Sequence, residues 1–319
     1  VTLFHCRPFA DGPVPGGFVG VDVFFVLSAF LISSLLAAEW GRTGSIDVLR
    51  FLRRRFIRLT PALLLMLAVY LALAPLIWPT DSPAAINAAL AGLYLSDITV
   101  ALYGAPLHLV HTWSLAVEEH FYLLWPLLFL WLARHPRNRL AVLLVAWLAA
   151  TAWRLSFIQE TVYYYRFDTH LTGLILGAAL FFAPRSLFRP WMAWAATAAF
   201  AAICLLGQHP RANGVISLAE VAAAAMIGCI VTGEAGSIGT ALRQPAVRWV
   251  GKISYGIYLW QWPIADYLLS RQFGFWGVLA MSAPGAIALA ALSYYTIEKV
   301  ARRRVTPVHG NVRLSPFSS

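Results

Sequence analysis

The sequence predicts an all-α integral membrane protein, and three observations carry that prediction. The 319 residues are 60% hydrophobic and only 12% charged, with a mean hydropathy of +0.70. A soluble domain carries about 25% charged residues. Apolar runs long enough to cross a bilayer recur along the whole chain. Between them the positive charge gathers in short clusters: Arg53, Arg54, Arg55 and Arg58; Arg134 to Arg139; Arg185 and Arg189; Arg243 to Lys252; and Arg302 to Arg304. Basic residues exceed acidic ones 24 to 14. A nucleic-acid binder would gather this charge in one stripe, so clusters confined between spans exclude nucleic acid as a partner.

The elements follow in order. Residues 1–6 read as the end of a first helix, because a full span needs about 20 residues and this sequence holds few of them. The stretch lacks a basic n-region and a small-residue cleavage site, so it is not a signal peptide. Cys6 to Pro15 is rich in Pro, Gly and Asp and reads as a tight exit from the membrane. Further spans are expected at 17–38, 60–78, 113–133, 140–158, 169–184, 191–207, 215–233, 254–271 and 275–297. Residues 84–110 hold Asn87, Asp97, Pro106 and His108 and are expected to form a re-entrant or interfacial segment. About ten spans, with both termini cytoplasmic, then place every basic cluster inside. This arrangement puts the chain in the inner (plasma) membrane. If 84–110 crossed, every later cluster would flip outside.

Residues 46–58 read as a separate amphipathic cytoplasmic helix leading to Pro61. Ile46, Leu49, Phe51, Leu52, Phe56 and Ile57 interleave with Asp47, Arg50, Arg53, Arg54, Arg55 and Arg58. Two readings stay open. The helix anchors to anionic lipid, or its arginine forks cradle phosphate oxygens. Cys6, Cys204 and Cys229 are too few and too scattered for a disulfide framework or a thiolate metal site.

The outer side collects the polar groups. His5 ends the first span, Asp22 enters the second, Glu118 and Glu119 lie within the fourth, and Arg166, Asp168 and His170 precede the sixth. Asp22 taken alone is equally a helix cap near the interface. Adjacent glutamates differ by about 100° around a helix, so one can face a polar cavity while the other pairs with an arginine. His111, His120 and His170 taken singly read as hydrogen-bond partners between helices. Together, a histidine and these carboxylates at one membrane depth exceed what architecture requires, because ionisable groups are costly there. The chemistry suggested is general-base catalysis on a hydroxyl. No metal-ligand spacing, G-x-S-x-G elbow or Walker A loop is present in the sequence.

These residues sit in longer pieces that resemble the acyltransferase family 3 membrane proteins, which include the O-antigen and peptidoglycan O-acetylases. The pieces are LFH at 3–5, PGGFVGVDVFFVLSAFLI at 15–32, FLRRRFIRLTPALLL at 51–65, HTWSLAVEEHFYLLWPLL at 111–128, RFDTHLTGLILGAAL at 166–180 and GKISYGIYLWQWPI at 251–264. The resemblance implies a multi-span enzyme that moves an acyl group, usually acetyl, from cytoplasmic acetyl-CoA to a sugar hydroxyl at the outer face. It matches His5 to the family's essential histidine. Family members carry an arginine about ten residues before that histidine, a position this sequence does not reach. Ala29 stands where Gly is usual and His120 where Gln is usual.

Residues and resemblance together give one expectation: an O-acyltransferase in residues 1–300, followed by a basic, disordered tail at 301–319, standing alone as a transferase domain. Its expected catalytic set is His5, Asp22, Glu118, Glu119, Arg166 and Asp168, with His5 as base or transient acyl carrier. Arg53, Arg54 and Arg58 would hold the CoA phosphates. The donor is acetyl-CoA, no metal is needed, and the partners are a carbohydrate or glycolipid acceptor and membrane lipid. A non-acetyl transferase, one acting on a small metabolite, and a multi-span transporter are the alternatives. The span pattern shows no repeated halves with paired broken helices, which counts against a transporter.

Overall fold

In hydrocarbon there is no water to satisfy backbone N–H and C=O groups, so long apolar segments close their hydrogen bonds internally as helices. The computed structural model describes residues 1–6, 13–78, 83–157, 164–207 and 213–303, and no strand occurs among them. The α-helices are α1 (Thr2–His5), α2 (Gly20–Thr43), α3 (Val48–Ile77), α4 (Ala84–Gly92), α5 (Ser96–Tyr103), α6 (Trp113–Arg134), α7 (Arg139–Leu155), α8 (Phe167–His170), α9 (Thr172–Phe182), α10 (Pro190–Leu206), α11 (Asn213–Thr232), α12 (Gly236–Leu242), α13 (Pro245–Ser270), α14 (Phe275–Ser293) and α15 (Lys299–Arg303). The expected tail lies outside the described residues from 304 onward, as do 8–12 and 208–212 of the expected outer loops.

Among the described residues, five stretches are long and apolar enough to cross a membrane: Gly17–Thr43, Val48–Ile77, Val110–Arg134, Gly214–Thr232 and Phe275–Ala301. They fall on the spans expected at 17–38, 60–78, 113–133, 215–233 and 275–297. The other expectations land on shorter or more polar helices. α7, α9 and α10 have 17, 11 and 17 residues, below the about 20 of a perpendicular span. The expected 254–271 span lies within α13, whose first turns carry Arg248 and Lys252. α4 and α5, with 9 and 8 residues, are each too short to cross at 1.5 Å per residue.

The arginine segment differs from its expectation. It is not a separate helix: α3 runs unbroken for 30 residues from Val48 through Pro61 to Ile77. Proline in an apolar helix loses one backbone bond, which neighbouring turns absorb. Before it, α2 stops at Gly44, whose φ of +64° suits a residue without Cβ.

The chain divides into two compact units. The first comprises, among the described residues, those of Val1–Pro13, Leu49–Glu119 and the stretch from Arg248 to 303. Its apolar core joins Leu63, Met66, Leu67 and Tyr70 of α3 to Leu259 and Trp260 of α13 and Ala286 and Ala290 of α14. α13 and α14 approach closely at Gly256, where a Cβ would lie 2.8 Å from that of Ala290.

The second unit comprises, among the described residues, those of Val14–Val48 and His120–Val247. Here α9 lies directly on α2. A Cβ on Gly177 would stand 2.1 Å from the Val26 carbonyl oxygen, and one on Gly173 would stand 3.2 Å from the Phe25 Cβ. Gly173 and Gly177 form a G-x-x-x-G spacing, the pattern that lets two membrane helices touch backbone to backbone.

Candidate functional site

In the first unit the polar groups gather along α13. His5, the last residue of α1, is partly buried. Its Nδ1 lies 2.7 Å from Oε1 of Gln261, which is 1% exposed. The Gln261 Nε2 donates to the Thr2 carbonyl at 3.5 Å and lies 4.0 Å from the Cys6 Sγ. Trp262 meets the His5 ring edge-on, with centroids 4.7 Å apart at 72°. His111, also buried, belongs to the same cluster. Its ring is 6.4 Å from that of Trp262 and 5.5 Å from that of Tyr258. Tyr258 donates to the His111 carbonyl, so the Ser114 hydroxyl donates to the Tyr258 oxygen at 2.5 Å. Sequence reasoning set His111 aside as helix packing, yet it shares Trp262 with His5.

One turn further along α13, Asp266 Oδ2 lies 2.7 Å from Nδ1 of His108, and the His108 ring stacks on Trp78 with centroids 4.1 Å apart. The sequence reading used His108 only as a polar marker in 84–110 and passed over Asp266. Glu118 is buried and Glu119 is partly buried in this unit. Arg53, Arg54 and Arg58 are exposed on the first turns of α3, whereas Arg55 is 9% exposed with its guanidinium 5.7 Å from the Phe51 ring centre.

In the second unit two further arrangements appear. Asp22 of α2 and His170 of α8 are fully buried, with Oδ1 and Nε2 3.4 Å apart. Phe25 and Tyr164 flank the histidine ring at 6.0 and 4.6 Å. Beside this pair, Arg154 of α7 donates to Glu220 of α11 at 3.0 Å, to Thr172 at 2.5 Å and to Ser217 at 2.6 Å. Thr172 in turn donates to Glu220, as does the Trp147 indole at 3.2 Å. Buried charges persist only where paired and hydrogen-bonded in this way. Neither Arg154 nor Glu220 stood out in the sequence, because each is a lone ionisable residue in an apolar run.

Arg166 and Asp168 meet as a bidentate pair, Nε to Oδ1 and Nη2 to Oδ2 both at 2.8 Å, and the Trp153 indole donates to Asp168 at 2.9 Å. Burial by itself would raise the Asp168 carboxyl. The Arg166 fork and the Trp153 indole outweigh it and hold the group below the usual carboxylate range. Of the expected catalytic set, then, Asp22, Arg166 and Asp168 belong to the second unit, and His5, Glu118 and Glu119 to the first. Among the described residues no cluster of three His, Cys, Asp or Glu is arranged to hold a metal ion.

Comparison with known proteins adds a separate finding. A family model described as "Acyltransferase domain" matches residues 1–297. The peptidoglycan O-acetyltransferase OatA of Listeria monocytogenes is 30% identical over 323 residues, covering 90% of this chain and 52% of that protein. The putative peptidoglycan O-acetyltransferase YrhL of Bacillus subtilis is 32% identical, covering 90% of this chain and 51% of that protein. The O-acetyltransferase OatA of Staphylococcus aureus is 33% identical over 287 residues, covering 80% and 47%. The chain thus spans about half the length of the curated relatives it matches. No solved structure matches it.

Proposed function

The chain belongs to the acyltransferase 3 family, and on that footing we propose that it is a membrane O-acyltransferase acting on a cell-envelope carbohydrate. The acyl group is acetyl and the donor is cytoplasmic acetyl-CoA. The acceptor is a hydroxyl of peptidoglycan or a related glycan, the class named for its relatives.

The observation that carries this reading is His5. It is the position matched to the family's histidine, and its ring is held at 2.7 Å by a buried, neutral amide. An imidazole held this way is neutral and keeps one ring nitrogen free to act as a base. His5 removes the acceptor hydroxyl proton as the oxygen attacks the thioester carbonyl. The carbon–sulfur bond then breaks, and the proton passes from the imidazole to the CoA sulfur. The products are an O-acyl ester and free CoA. Arg53, Arg54 and Arg58 hold the CoA phosphates in this reading; their exposure and the match of guanidinium forks to phosphate oxygens support it. Asp22 with His170, and Arg166 with Asp168, brace the second unit. Both termini are cytoplasmic and the membrane is the inner one, by the arginine distribution.

The test is transfer itself. The protein is produced in cells whose peptidoglycan lacks O-acetyl esters, and acetate released from the purified glycan by mild alkali is measured. General-base catalysis contributes typically 10²–10⁴-fold, so His5→Ala and His5→Gln should each lower ester content to background. His135→Ala is the control, since His135 is exposed just past the end of α6, where its ring meets the Trp131 carbonyl one turn back. Ester content unchanged in His5→Gln would refute the assignment.

A further inference from the structure

Gln261 has no role in the reading above beyond its proximity to His5, and its geometry decides more than proximity. The two ends of its side-chain amide differ: Oε1 only accepts and Nε2 only donates. One end faces the Thr2 carbonyl at 3.5 Å. A carbonyl oxygen can only accept, so the end facing it is the NH₂. That leaves Oε1 against the His5 ring at 2.7 Å. An acceptor at that distance requires a donor, so Nδ1 of His5 carries the proton. A neutral imidazole has a single N–H, which leaves the lone pair on Nε2. The opposite tautomer would set two lone pairs against each other 2.7 Å apart, with Gln261 only 1% exposed and water unable to relieve them.

We propose that Gln261 is a positioning residue that locks His5 in the Nδ1–H tautomer and thereby makes Nε2 the nitrogen that receives the acceptor proton. This inference rests on His5 being the base. Trp262, the next residue on α13, presses edge-on against the same ring at 4.7 Å. One helix therefore sets both the rotation of the imidazole and the identity of its basic nitrogen. The neutrality of the partner matters as well. A carboxylate in this place would stabilise the imidazolium and hold the proton, whereas an amide fixes the tautomer and leaves the ring neutral before the reaction. The other titratable groups gathered here are His111 across Trp262 and the Cys6 thiol beside the Gln261 amide. Neither carries negative charge at neutral pH, so nothing from these neighbours replaces the acceptor that Gln261 supplies.

The experiment uses the full chain in lipid nanodiscs with acetyl-CoA as donor and soluble peptidoglycan fragments as acceptor. Ring-nitrogen NMR on ¹⁵N-histidine protein, with His5 assigned by its loss in His5→Ala, reads the tautomer directly. The wild-type spectrum should place the proton on Nδ1, and a His5 signal protonated at Nε2 would overturn the proposal. Gln261→Leu preserves bulk and removes the acceptor. It should lower kcat about 10–100-fold with KM for acetyl-CoA within about twofold, as expected when the support of a working group is lost. Gln261→Glu restores an acceptor for Nδ1–H. It should recover part of that loss and move the rising limb of the pH–rate profile to higher pH, because the added carboxylate favours the imidazolium. Wild-type kcat and pH profile in Gln261→Leu, with His5→Ala inactive, would overturn the role of Gln261 and leave His5 standing. Full activity in His5→Ala would overturn both.

Discussion

Replacing Gly177 by Ala tests the packing on which the second unit depends. The new Cβ would stand 2.1 Å from the Val26 carbonyl oxygen, 2.8 Å from its carbon and 2.9 Å from its Cα. All three are backbone atoms, so no rotamer change can make room. A carbon and a carbonyl oxygen sit comfortably at about 3.3 Å, so α9 must move off α2 by about 1 Å. The movement has a chemical consequence. Asp22 lies one turn before Val26 on α2, and His170 lies just ahead of α9. Their 3.4 Å separation would open past the range of a useful contact, leaving two polar groups buried without each other. Overpacking alone costs about 1–3 kcal/mol, and a backbone clash belongs at the upper end. At about 2–4 °C per kcal/mol, the midpoint of thermal unfolding should fall by about 6–12 °C. Tryptophan fluorescence of the purified protein in detergent during heating measures it. Gly251→Ala is the comparator, because a Cβ there meets nothing within 4 Å. It should melt with the wild type or slightly above it, as Ala is the better helix former. If Gly177→Ala melts with the wild type as well, α9 does not lie against the α2 backbone as described.

Glu220→Ala should destabilise by about 3–5 kcal/mol, since it strands the buried Arg154 guanidinium, while the double variant Arg154→Leu with Glu220→Leu should regain most of that loss. Equal unfolding midpoints for the single and double variants would show that the two charges are not coupled. Replacing Arg54 by Ala should weaken acetyl-CoA binding about tenfold, as one charge-assisted phosphate contact contributes roughly 1.5–3 kcal/mol. Titration calorimetry on the triple variant at Arg53, Arg54 and Arg58 decides the matter: unchanged affinity would return this face of α3 to lipid anchoring.

Much of the fold was legible because membrane partition is a property of contiguous segments. Hydropathy over about 20 residues needs no knowledge of neighbours, which is why five expected spans coincide with helices able to cross. The spacing of Gly173 and Gly177 passed unnoticed in the sequence, since it marks a close backbone contact only with Val26 opposite. Less legible was the continuity of α3, because a charged amphipathic segment and an apolar span share one helical backbone across Pro61. Among the polar groups, His5 of the first unit and Asp22, Arg166 and Asp168 of the second announced themselves as ionisable residues near span ends. Gln261 lay inside a recognised motif without signalling its role, since an uncharged amide among aromatics carries no cost that sequence alone exposes.

By itself the sequence determined that this chain lives in a membrane, that it is helical, and that it carries the acyltransferase signature from its first residues to 297. Only the tertiary structure decided which polar groups meet. His5 finds Gln261 across 256 positions, Arg154 finds Glu220 across 66, and His108 finds Asp266 across 158. Helical periodicity relates residues three or four apart. Pairings at these separations depend on which helix packs beside which, and that is settled by close contacts such as Gly177 on Val26 and Gly256 on Ala290. In a low-dielectric interior an ionisable group must end beside a partner, but its own neighbourhood in the chain does not say which partner packing will deliver.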